Sequence, residues 1–316
     1  MGFSCKLCSM NMAMDIQQVA DAKSGETLPI SLCEHCGLVQ QTDTPLDDEL
    51  KVYYSHHYRQ DYKNTYSPKL KHVRRAGLVA LERINFLNEH ITASRKLKLL
   101  DIGAGGGEFV YLSGKSGFNS CGIEPNKGYS GYAKEEYGID VKTQMLDELN
   151  SGSADIVTIF HVLEHMAKPE AAMKKIADIL TDDGLLFVEV PNILTKNASP
   201  HNIFFKAHLF YYSQSSLVSA ASQYFNPVTI ETGYNLRILF IKKKQFLSAP
   251  IFPESHDVTL TKQRVSEKGW LEYLFVGKGI FKPFKKITQI ITEKRIKSIS
   301  PKELLDNLVA LGFPDR

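Results

Sequence analysis

The sequence predicts an α/β protein built on a parallel sheet, with a metal-held segment before the sheet and a basic helical segment after it. Three observations predict this architecture. Short apolar stretches alternate with helical stretches through the middle of the chain. Two closely spaced cysteine pairs precede these stretches. An excess of lysine and arginine follows them.

The composition of the 316 residues is that of a globular protein, with 43% hydrophobic and 23% charged side chains. This balance excludes wholesale disorder and fibrous repeats. No apolar run reaches the roughly 20 residues that a membrane-spanning helix needs. The first residues lack the apolar stretch of a secretory signal. We therefore expect a cytoplasmic protein.

Four of the five cysteines form two C-x-x-C pairs, Cys5 with Cys8 and Cys33 with Cys36. In a reducing compartment such pairs are typical of a metal site and not of disulfides. Two residues between ligands allow one tight turn to aim both sulfurs at one ion, and two turns supply four thiolates. His35, inside the second pair, is the alternative ligand. The pattern predicts a zinc ribbon with a structural Zn²⁺ ion.

Four short apolar stretches in the middle of the chain are typical of strands that are buried on both faces. They are KLKLLDIG, NSCGIEP, ADIVTIF and GLLFVEV. Helical stretches separate them, so we expect a parallel sheet with crossover helices. Ligands of such sheets bind at the carboxyl ends of the strands. The residues that follow each strand are therefore the candidates for a functional site.

A glycine-rich turn, DIGAGGGEF, follows the first of these strands. The dinucleotide pattern G-x-G-x-x-G would place its third glycine at position 108, where this chain has Glu108. Asp101, directly before the turn, suits an ammonium group better than a pyrophosphate. S-adenosylmethionine carries such a group, and its carboxylate can use free backbone N–H groups. Gly103 and Gly105 would allow the backbone to approach this cofactor.

A carboxylate also ends the second strand of the predicted sheet. Glu124 lies 21 residues after Gly103, where an acidic side chain can accept both ribose hydroxyls of a nucleoside. The glycine turn, the acid before it and this second acid together predict a site for S-adenosylmethionine.

Several motifs resemble the successive motifs of class I S-adenosylmethionine-dependent methyltransferases: DIGAGGGEF, GIEP, FHVLEHMAKP, FVEVPN and HLFYYSQSSLVSAASQYF. With the cysteine pairs, their order over residues 1–245 is similar to that of sugar and polysaccharide-biosynthesis methyltransferases that carry an N-terminal zinc-binding domain. The resemblance implies a Rossmann-like, seven-stranded sheet whose last strands lie near NPVTIETG and LRILFIKK. It also implies that Met145 and Leu146 flank the adenine and that Phe160, which ends the fourth strand, lies at the cofactor.

Three histidines are the candidate catalytic residues. Methyl transfer to a hydroxyl needs a base near neutral pH, and histidine is the natural one. His161 and His165 follow the fourth strand and share a face if a helix begins there. His208 follows the fifth strand, so we expect it and His165 to converge on one cleft. A metal-assisted reaction through Glu164 and His165 is disfavoured, because neighbouring helical positions point apart.

The resemblance to sugar C-methyltransferases is incomplete at the acceptor site. Those enzymes have a Tyr-x-Glu-His run after strand five, whereas this chain has Phe205, Ala207 and His208 at the first, third and fourth positions. Phe205 has no hydroxyl and Ala207 has no acid function, yet carbon methylation requires a stabilised carbanion. O-methylation of a sugar hydroxyl is therefore the first expectation. C-methylation, O-methylation of a quinone-like acceptor and a non-catalytic cofactor-binding module are the alternatives.

The C-terminal segment is strongly basic. Residues 262–302 contain 11 basic and 3 acidic side chains, a charge of +8, so the rest of the +3 chain has a charge of −5. Apolar residues recur there at helical spacing: Ile280, Phe284, Ile287 and Ile291. This pattern is typical of a helix packed on the catalytic domain, or of contact with an anionic membrane surface or an acidic partner. Nucleic acid binding is disfavoured because no nucleic-acid motif accompanies it.

The sequence thus predicts three parts. A zinc ribbon with an aromatic linker covers residues 1–58, a methyltransferase domain covers residues 66–245 and a basic helical extension covers residues 246–316. The expected acceptor is a nucleotide-activated sugar or a glycan. The stretches Tyr53–Tyr66 and Ile193–Phe210 are the candidates for recognising it.

Overall fold

The computed structural model describes most of the chain, namely residues 3–10, 17–43, 68–91, 96–149, 154–294 and 299–312. The expected aromatic linker and the stretch Tyr53–Tyr66 lie outside these described residues. The chain divides into two compact units. The first comprises residues 1–46, 159–178 and 185–285, and the second comprises residues 47–158, 179–184 and 286–316. The domain boundaries drawn from the sequence stay predictions.

Eleven strands form two sheets in the described part of the chain. They are β1 Gln17–Ala20, β2 Thr27–Leu32, β3 Val39–Gln41, β4 Lys98–Ile102, β5 Asn119–Ile123, β6 Val141–Lys142, β7 Ala154–Phe160, β8 Leu180–Pro191, β9 Phe210–Tyr211, β10 Phe225–Thr232 and β11 Asn235–Lys242. The larger sheet has the order β10-β11-β8-β7-β4-β5-β6, and the smaller has the order β1-β2-β3-β9.

The larger sheet confirms the predicted mixed α/β class with seven strands. Strands β4 and β5 pair in parallel, as do β5 and β6. The last two strands pair antiparallel with each other, and β11 pairs antiparallel with β8. In the register of β4 and β5, Asp101 lies opposite Gly122 and Ile102 opposite Ile123. The glycine turn and the acid after β5 therefore begin at the same level of neighbouring parallel strands.

The described residues contain eight α-helices. They are α1 Leu70–His90, α2 Glu108–Lys115, α3 Lys127–Tyr137, α4 Pro169–Ile179, α5 Gln214–Ala221, α6 Ser255–Glu267, α7 Lys282–Lys294 and α8 Pro301–Gly312. Helix α8 packs on α1, where Gly77 allows a close approach: a Cβ there would lie 2.6 Å from a methyl of Leu305. The hydroxyl of Tyr111 in α2 also donates to Asp306, at 2.5 Å. The last helix is therefore part of the second unit.

The cysteine-bearing segment shares a core with later parts of the chain. Strand β3 pairs with β9, and the buried cluster around them joins early and late residues: Leu28, Ile30, Leu32, Val39, Ile193, Phe204, Tyr211, Val258 and Val265. Burial of these side chains stabilises the segment. The sequence predicted a ribbon that depends on its metal for cohesion, whereas this apolar core is a second source of stability.

The apolar stripe of the C-terminal segment is largely exposed. Ile280, Phe284 and Ile287 are 43%, 69% and 55% exposed, and the side chain of Ile291 lies outside the described residues. The interpretation of this stripe as the buried face of a packed helix is therefore wrong for these three side chains. No helix among the described residues combines the length and the apolar character that crossing a membrane requires.

Candidate functional site

The glycine-rich turn connects β4 to α2 in the second unit. The N–H groups of Gly103 and Ala104 both donate to the carbonyl of Ile123, at 2.9 Å. Gly107 has a φ of 86° and precedes α2. A side chain there would be strained by this φ, and its Cβ would also lie 2.7 Å from the Cβ of Ala133. The sequence therefore folds into a turn in which backbone, and not side chains, lines the start of the helix.

Glu124 follows β5 directly and is buried. One of its carboxylate oxygens accepts from the N–H of Gly105 at 2.9 Å, and the other accepts from the N–H of Asn126 at 3.0 Å. An ionised carboxylate can accept about four hydrogen bonds. The two backbone bonds fix its position and are compatible with acceptance from the hydroxyls of a ribose.

Asp101 is the second buried carboxyl of this region. The hydroxyl of Thr158 donates to it at 2.6 Å. Burial raises the pKa of Asp101 to about 7, although the Thr158 bond acts in the opposite direction. A cationic group beside Asp101 would favour the ionised carboxylate. The side chain is therefore suited to a ligand with an ammonium group.

Other residues assigned to the cofactor from the sequence lie on separate elements. Met145 and Leu146 are half-buried at the start of a 3₁₀ turn, Leu146–Glu148. In the first unit, Phe160 ends β7 and packs edge-on against Phe187, with ring centroids 5.1 Å apart. The roles assigned to these three residues stay predictions.

The candidate catalytic histidines lie in the first unit. Residues Leu163–His165 form a single 3₁₀ turn, and His161 before it has a left-handed φ of 55°. The expected helix, with His161 and His165 on one face, is therefore absent at these described residues. The turn instead directs Glu164 and His165 toward His208, and the ligand atoms of these three side chains all lie within 4.8 Å of one another.

The ring of His165 is oriented by backbone. Its Nδ1 lies 2.6 Å from the carbonyl oxygen of Ala207. A carbonyl can only accept, so Nδ1 carries the proton and Nε2 of the neutral ring is the basic nitrogen. That Nε2 lies 4.0 Å from Glu164. The rings of His165 and His208 meet edge-on, with centroids 4.8 Å apart. The convergence expected from the sequence is present.

Glu164 is almost completely buried. Nδ1 of His161 lies 3.5 Å from one of its carboxylate oxygens, and the other oxygen has no hydrogen-bond partner among the described residues. Burial raises the pKa of Glu164, but His161 and the other two histidines outweigh it and lower the pKa to about 2. A buried carboxylate oxygen without a hydrogen bond is costly. The arrangement therefore suits a cation or a ligand that donates a proton. The premise that Glu164 and His165 point apart is wrong, because their ligand atoms lie within 4.8 Å of each other.

The pKa values of the other two histidines differ in direction. Burial and the neighbouring His165 lower the pKa of His208 to about 3, so its ring is neutral at physiological pH. Burial also lowers the pKa of His161, but the carboxylates of Glu164 and Glu189 more than offset this and raise it to about 9. His161 is thus charged at neutral pH.

Glu189 anchors this cluster and was not singled out from the sequence. It lies in β8, fully buried, and accepts from Asn235 at 2.9 Å and from Arg237 at 2.8 Å. Its Oε1 also lies 3.1 Å from Nε2 of His161. Its position as a glutamate inside the apolar stretch GLLFVEV could have identified it from the sequence. Its two partners on β11 carry no such local signal.

The cysteine-bearing segment holds the turn that carries His208. The amide nitrogen of Gln41 donates to three carbonyls, of Phe205, Lys206 and His208, at 3.2, 3.1 and 2.7 Å. Asp21 accepts from the N–H of Lys206 at 2.6 Å. These contacts join residues more than 160 positions apart in the sequence, so no local pattern could predict them.

The four paired cysteines lie together, as predicted. All four sulfurs lie within 4.8 Å of one another, with Cys5 3.5 Å from Cys36 and Cys8 3.4 Å from Cys33. The donor set and its closeness are compatible with one tetrahedral zinc ion. The alternative ligand His35 instead packs against Phe252, with ring centroids 4.4 Å apart.

Comparisons with known proteins indicate a methyltransferase domain in this chain. Residues 70–224 match the sequence model of a family described as a methyltransferase domain. A ubiquinone biosynthesis O-methyltransferase of Marinobacter nauticus is 28% identical over 120 residues, which is 35% of this chain and 50% of that protein. The enzyme of the same description from Nitrosococcus oceani is 26% identical over 136 residues, 40% of this chain and 53% of that protein. The chain spans about half the length of these curated relatives.

Two solved structures are also similar. The magnesium protoporphyrin IX methyltransferase of Synechocystis PCC 6803 with bound S-adenosylhomocysteine has a TM-score of 0.49 and 15% identity, and the match covers 63% of this chain and all of that one. A methyltransferase from Thermotoga maritima has a TM-score of 0.46 and 20% identity, over 59% of this chain and 99% of that one. The expected likeness to zinc-binding sugar methyltransferases is not confirmed by the ubiquinone-biosynthesis relatives.

Proposed function

We propose that this chain, whose residues 70–224 match a methyltransferase-domain family, is a class I methyltransferase that transfers the methyl group of S-adenosylmethionine to a hydroxyl of a small molecule. We also propose the division into a zinc ribbon over residues 1–58, a methyltransferase domain over residues 66–245 and a basic extension over residues 246–316.

The cofactor assignment depends on the two buried carboxyls around the glycine turn. S-adenosylmethionine supplies an electrophilic methyl group on a sulfonium when bound. Asp101 would pair with its ammonium group, Glu124 would accept from its ribose hydroxyls, and Gly103 and Gly105 would leave room for close backbone approach. Both carboxyls are already held by hydrogen bonds. The protein therefore has little to reorganise when the cofactor binds.

The observation that carries the proposed reaction is the orientation of His165. The Ala207 carbonyl holds its Nδ1 proton, so we assign Nε2, the basic nitrogen, to take the proton of an acceptor hydroxyl. The imidazolium formed in this way is stabilised by Glu164, whose carboxylate lies 4.0 Å away and stays ionised. His208 stays neutral and packs against the ring of His165. His161, already charged, is suited to holding Glu164 and Glu189 in place.

The acceptor that the relatives favour is a phenolic hydroxyl of a quinone precursor, since both named relatives act in ubiquinone biosynthesis. A sugar hydroxyl is the second candidate, and the cysteine cluster favours it, because the resemblance to sugar methyltransferases included a zinc-binding segment. Carbon methylation has less support, because Ala207 contributes its backbone carbonyl and no acid to the cluster.

An acceptor screen with methyl-labelled S-adenosylmethionine tests the proposed function. Hydroxylated quinone precursors form one arm and nucleotide sugars the other, and mass fragmentation of the product locates the methyl on oxygen or carbon. We expect label on oxygen. Cofactor binding without label transfer to any acceptor in either arm would instead support a non-catalytic binding module. His165→Ala should lose this transfer. The His256→Ala variant, altered at an exposed histidine, is its matched control and should retain activity.

We further propose that Cys5, Cys8, Cys33 and Cys36 hold one structural zinc ion. Metal analysis of purified protein should give about one zinc per chain. The Cys36→Ser variant should lose the metal and the folding free energy that binding contributes, since structural zinc in small domains binds by about 10–16 kcal/mol. Cys121→Ser, outside the cluster, is the matched control and should keep the metal. Folded wild-type protein without zinc would refute the assignment.

A further inference from the structure

We propose that residues 270–284 dock this protein on the surface of an anionic lipid bilayer. Seven large apolar side chains in these fifteen residues are exposed: Trp270, Leu271, Phe275, Val276, Ile280, Phe281 and Phe284. Leu271 and Phe275 are 73% and 67% exposed. A dense group of exposed apolar side chains marks an interaction surface, because exposing apolar surface to water is unfavourable.

Polar contacts at both ends of this segment tie it to the protein. Glu272 is paired with Arg264 through two bonds of 2.5 and 2.9 Å. Close by in sequence, Lys268 donates to the carbonyl of Ile193 at 3.2 Å, and Lys282 donates to the carbonyl of Asn197. The segment is thus anchored through polar contacts while its apolar side chains point outward. This is the reverse of an ordinary surface helix, which buries its apolar face.

The backbone geometry keeps the segment close to the stretch around Lys196 in the same unit. Residues Glu272–Val276 form a π-helical turn and residues Gly279–Phe281 a 3₁₀ turn, before α7 begins. At Gly277 the chain passes so near the carbonyl of Lys196 that a Cβ there would clash with its oxygen. The apolar group is therefore held in a defined place and is not a frayed end.

Charge identifies the occupant as an anionic surface. The only acid between Lys268 and Lys286 in the sequence is Glu272, which Arg264 neutralises. Lys278 lies between these apolar side chains in the sequence and is exposed, and Lys286, two residues after Phe284, is also exposed. Aromatic and aliphatic side chains interleaved with lysine are typical of segments that lie in the headgroup region of a bilayer. A second copy of the same surface would instead bring like charges together.

The proposed surface adjoins the loop between β8 and β9, which carries His208. The ring centroid of Trp270 lies 5.4 Å from that of His201 in this loop. Within the proposed surface, the ammonium group of Lys282 lies 4.9 Å from the ring centroid of Tyr273. Docking would therefore bring this loop close to the lipid headgroups. On the proposed function, it would suit an acceptor that resides in the membrane, but lipid binding itself needs no methyl transfer.

Trp270 makes the proposal directly testable, because it is the only tryptophan of the chain. The full-length, zinc-replete protein is mixed with vesicles of phosphatidylglycerol and phosphatidylcholine, or of phosphatidylcholine alone. We expect flotation with the anionic vesicles and a blue shift of tryptophan emission, with binding about tenfold or more weaker to neutral vesicles or in high salt. The readout is independent of acceptor and turnover.

Two double variants separate the apolar and the charge contributions. Leu271→Ser with Phe275→Ser and, separately, Lys278→Glu with Lys286→Glu should each weaken binding to the anionic vesicles about tenfold or more. The matched controls alter exposed residues elsewhere: Val228→Ser with Leu260→Ser, and Lys71→Glu with Lys244→Glu. They should bind within about twofold of wild type. Thermal unfolding verifies that all variants are folded.

Three results would overturn the proposal. One is wild-type protein that neither floats with anionic vesicles nor changes its emission. Another is undiminished binding to anionic vesicles by both double variants of the proposed surface. The third is a blue shift that appears without vesicles as protein concentration rises, which would assign the surface to a second copy of this chain.

Discussion

The two polar regions of this protein are built in different ways. Around the glycine turn, Glu124 accepts from two backbone N–H groups and Asp101 accepts from Thr158. Around His165, one oxygen of the buried Glu164 carboxylate lies 3.5 Å from Nδ1 of His161, and the other has no hydrogen-bond partner among the described residues. The carboxyls of the first region are held by hydrogen bonds, whereas one oxygen of Glu164 in the second region is not.

The difference teaches which region is rigid and which depends on a ligand. A carboxylate fixed by backbone N–H groups keeps its place whether or not a ligand is bound. A buried carboxylate oxygen without a hydrogen bond is costly, and a proton donor or a cation that enters the cluster would relieve that cost. Changes at the glycine turn should therefore act on cofactor affinity, and changes at the cluster should act on turnover and on the response to pH.

The largest expected effect is on turnover. His165→Ala removes the proposed base, and we expect kcat to fall about 100- to 10,000-fold, the usual contribution of general base catalysis. Affinity for S-adenosylmethionine, measured by calorimetry, should stay within about twofold of wild type, because no contact of the glycine turn is altered. Equal losses of affinity and turnover would contradict the separation of the two regions.

Glu124→Ala should give the next largest effect, on cofactor affinity. Removal of the proposed ribose acceptor, together with its bonds to Gly105 and Asn126, should raise the Kd for S-adenosylmethionine about 100-fold, or about 3 kcal/mol. The exposed Glu135→Ala provides a matched control with unchanged Kd. An unchanged Kd in Glu124→Ala would remove this residue from the cofactor site.

Asp101 should make cofactor affinity depend on pH. Its pKa is about 7 in the ligand-free protein because the group is buried, and a bound ammonium group would favour the ionised form. Binding then releases a proton below pH 7, so affinity should fall by up to about tenfold per pH unit as the pH drops from 7 to 5.5. Asp101→Asn should bind weakly and without this dependence, whereas the exposed Asp140→Asn should behave as wild type.

The smallest effect concerns stability. The pKa of His161 is raised from 6.5 to about 9, so its charged form stabilises the folded protein fully below pH 6.5. This contribution is lost as the pH rises from 6.5 to 9. Because the side chain is 39% exposed, the Tm difference between wild type and His161→Gln should be only about 2 °C at pH 6.5 and should vanish by pH 9. A difference that grows with pH would contradict the charge assignment.

The same contrast between the two regions accounts for what could be predicted from the sequence. The glycine turn, Asp101 and Glu124 lie within one β-turn-α-β stretch, at strand ends that the apolar runs themselves predict. The cluster joins His165 to residues from β8, β11 and the loop before β9. Only the folded chain brings three further residues to this cluster, namely Glu189, Asn235 and Gln41. Periodicity and spacing in the sequence therefore could not predict them. The prediction of a helix at His161 was wrong, because a local sequence pattern does not distinguish a 3₁₀ turn from the start of an α-helix.

The C-terminal segment gives a further lesson. The spacing of Ile280, Phe284 and Ile287 correctly indicated an apolar stripe, but spacing alone does not say what the stripe faces. In the structure these side chains are exposed, and their surroundings are basic. Burial, which requires the folded chain, decides between a packed helix and an interaction surface.

The most direct test of the account is a calorimetric titration of the wild-type protein with S-adenosylmethionine, with a nicotinamide dinucleotide as the comparison ligand. The account predicts saturable, one-to-one binding of S-adenosylmethionine that Glu124→Ala weakens about 100-fold, and no binding of the dinucleotide. The account would be contradicted if the folded protein bound the dinucleotide and did not bind S-adenosylmethionine.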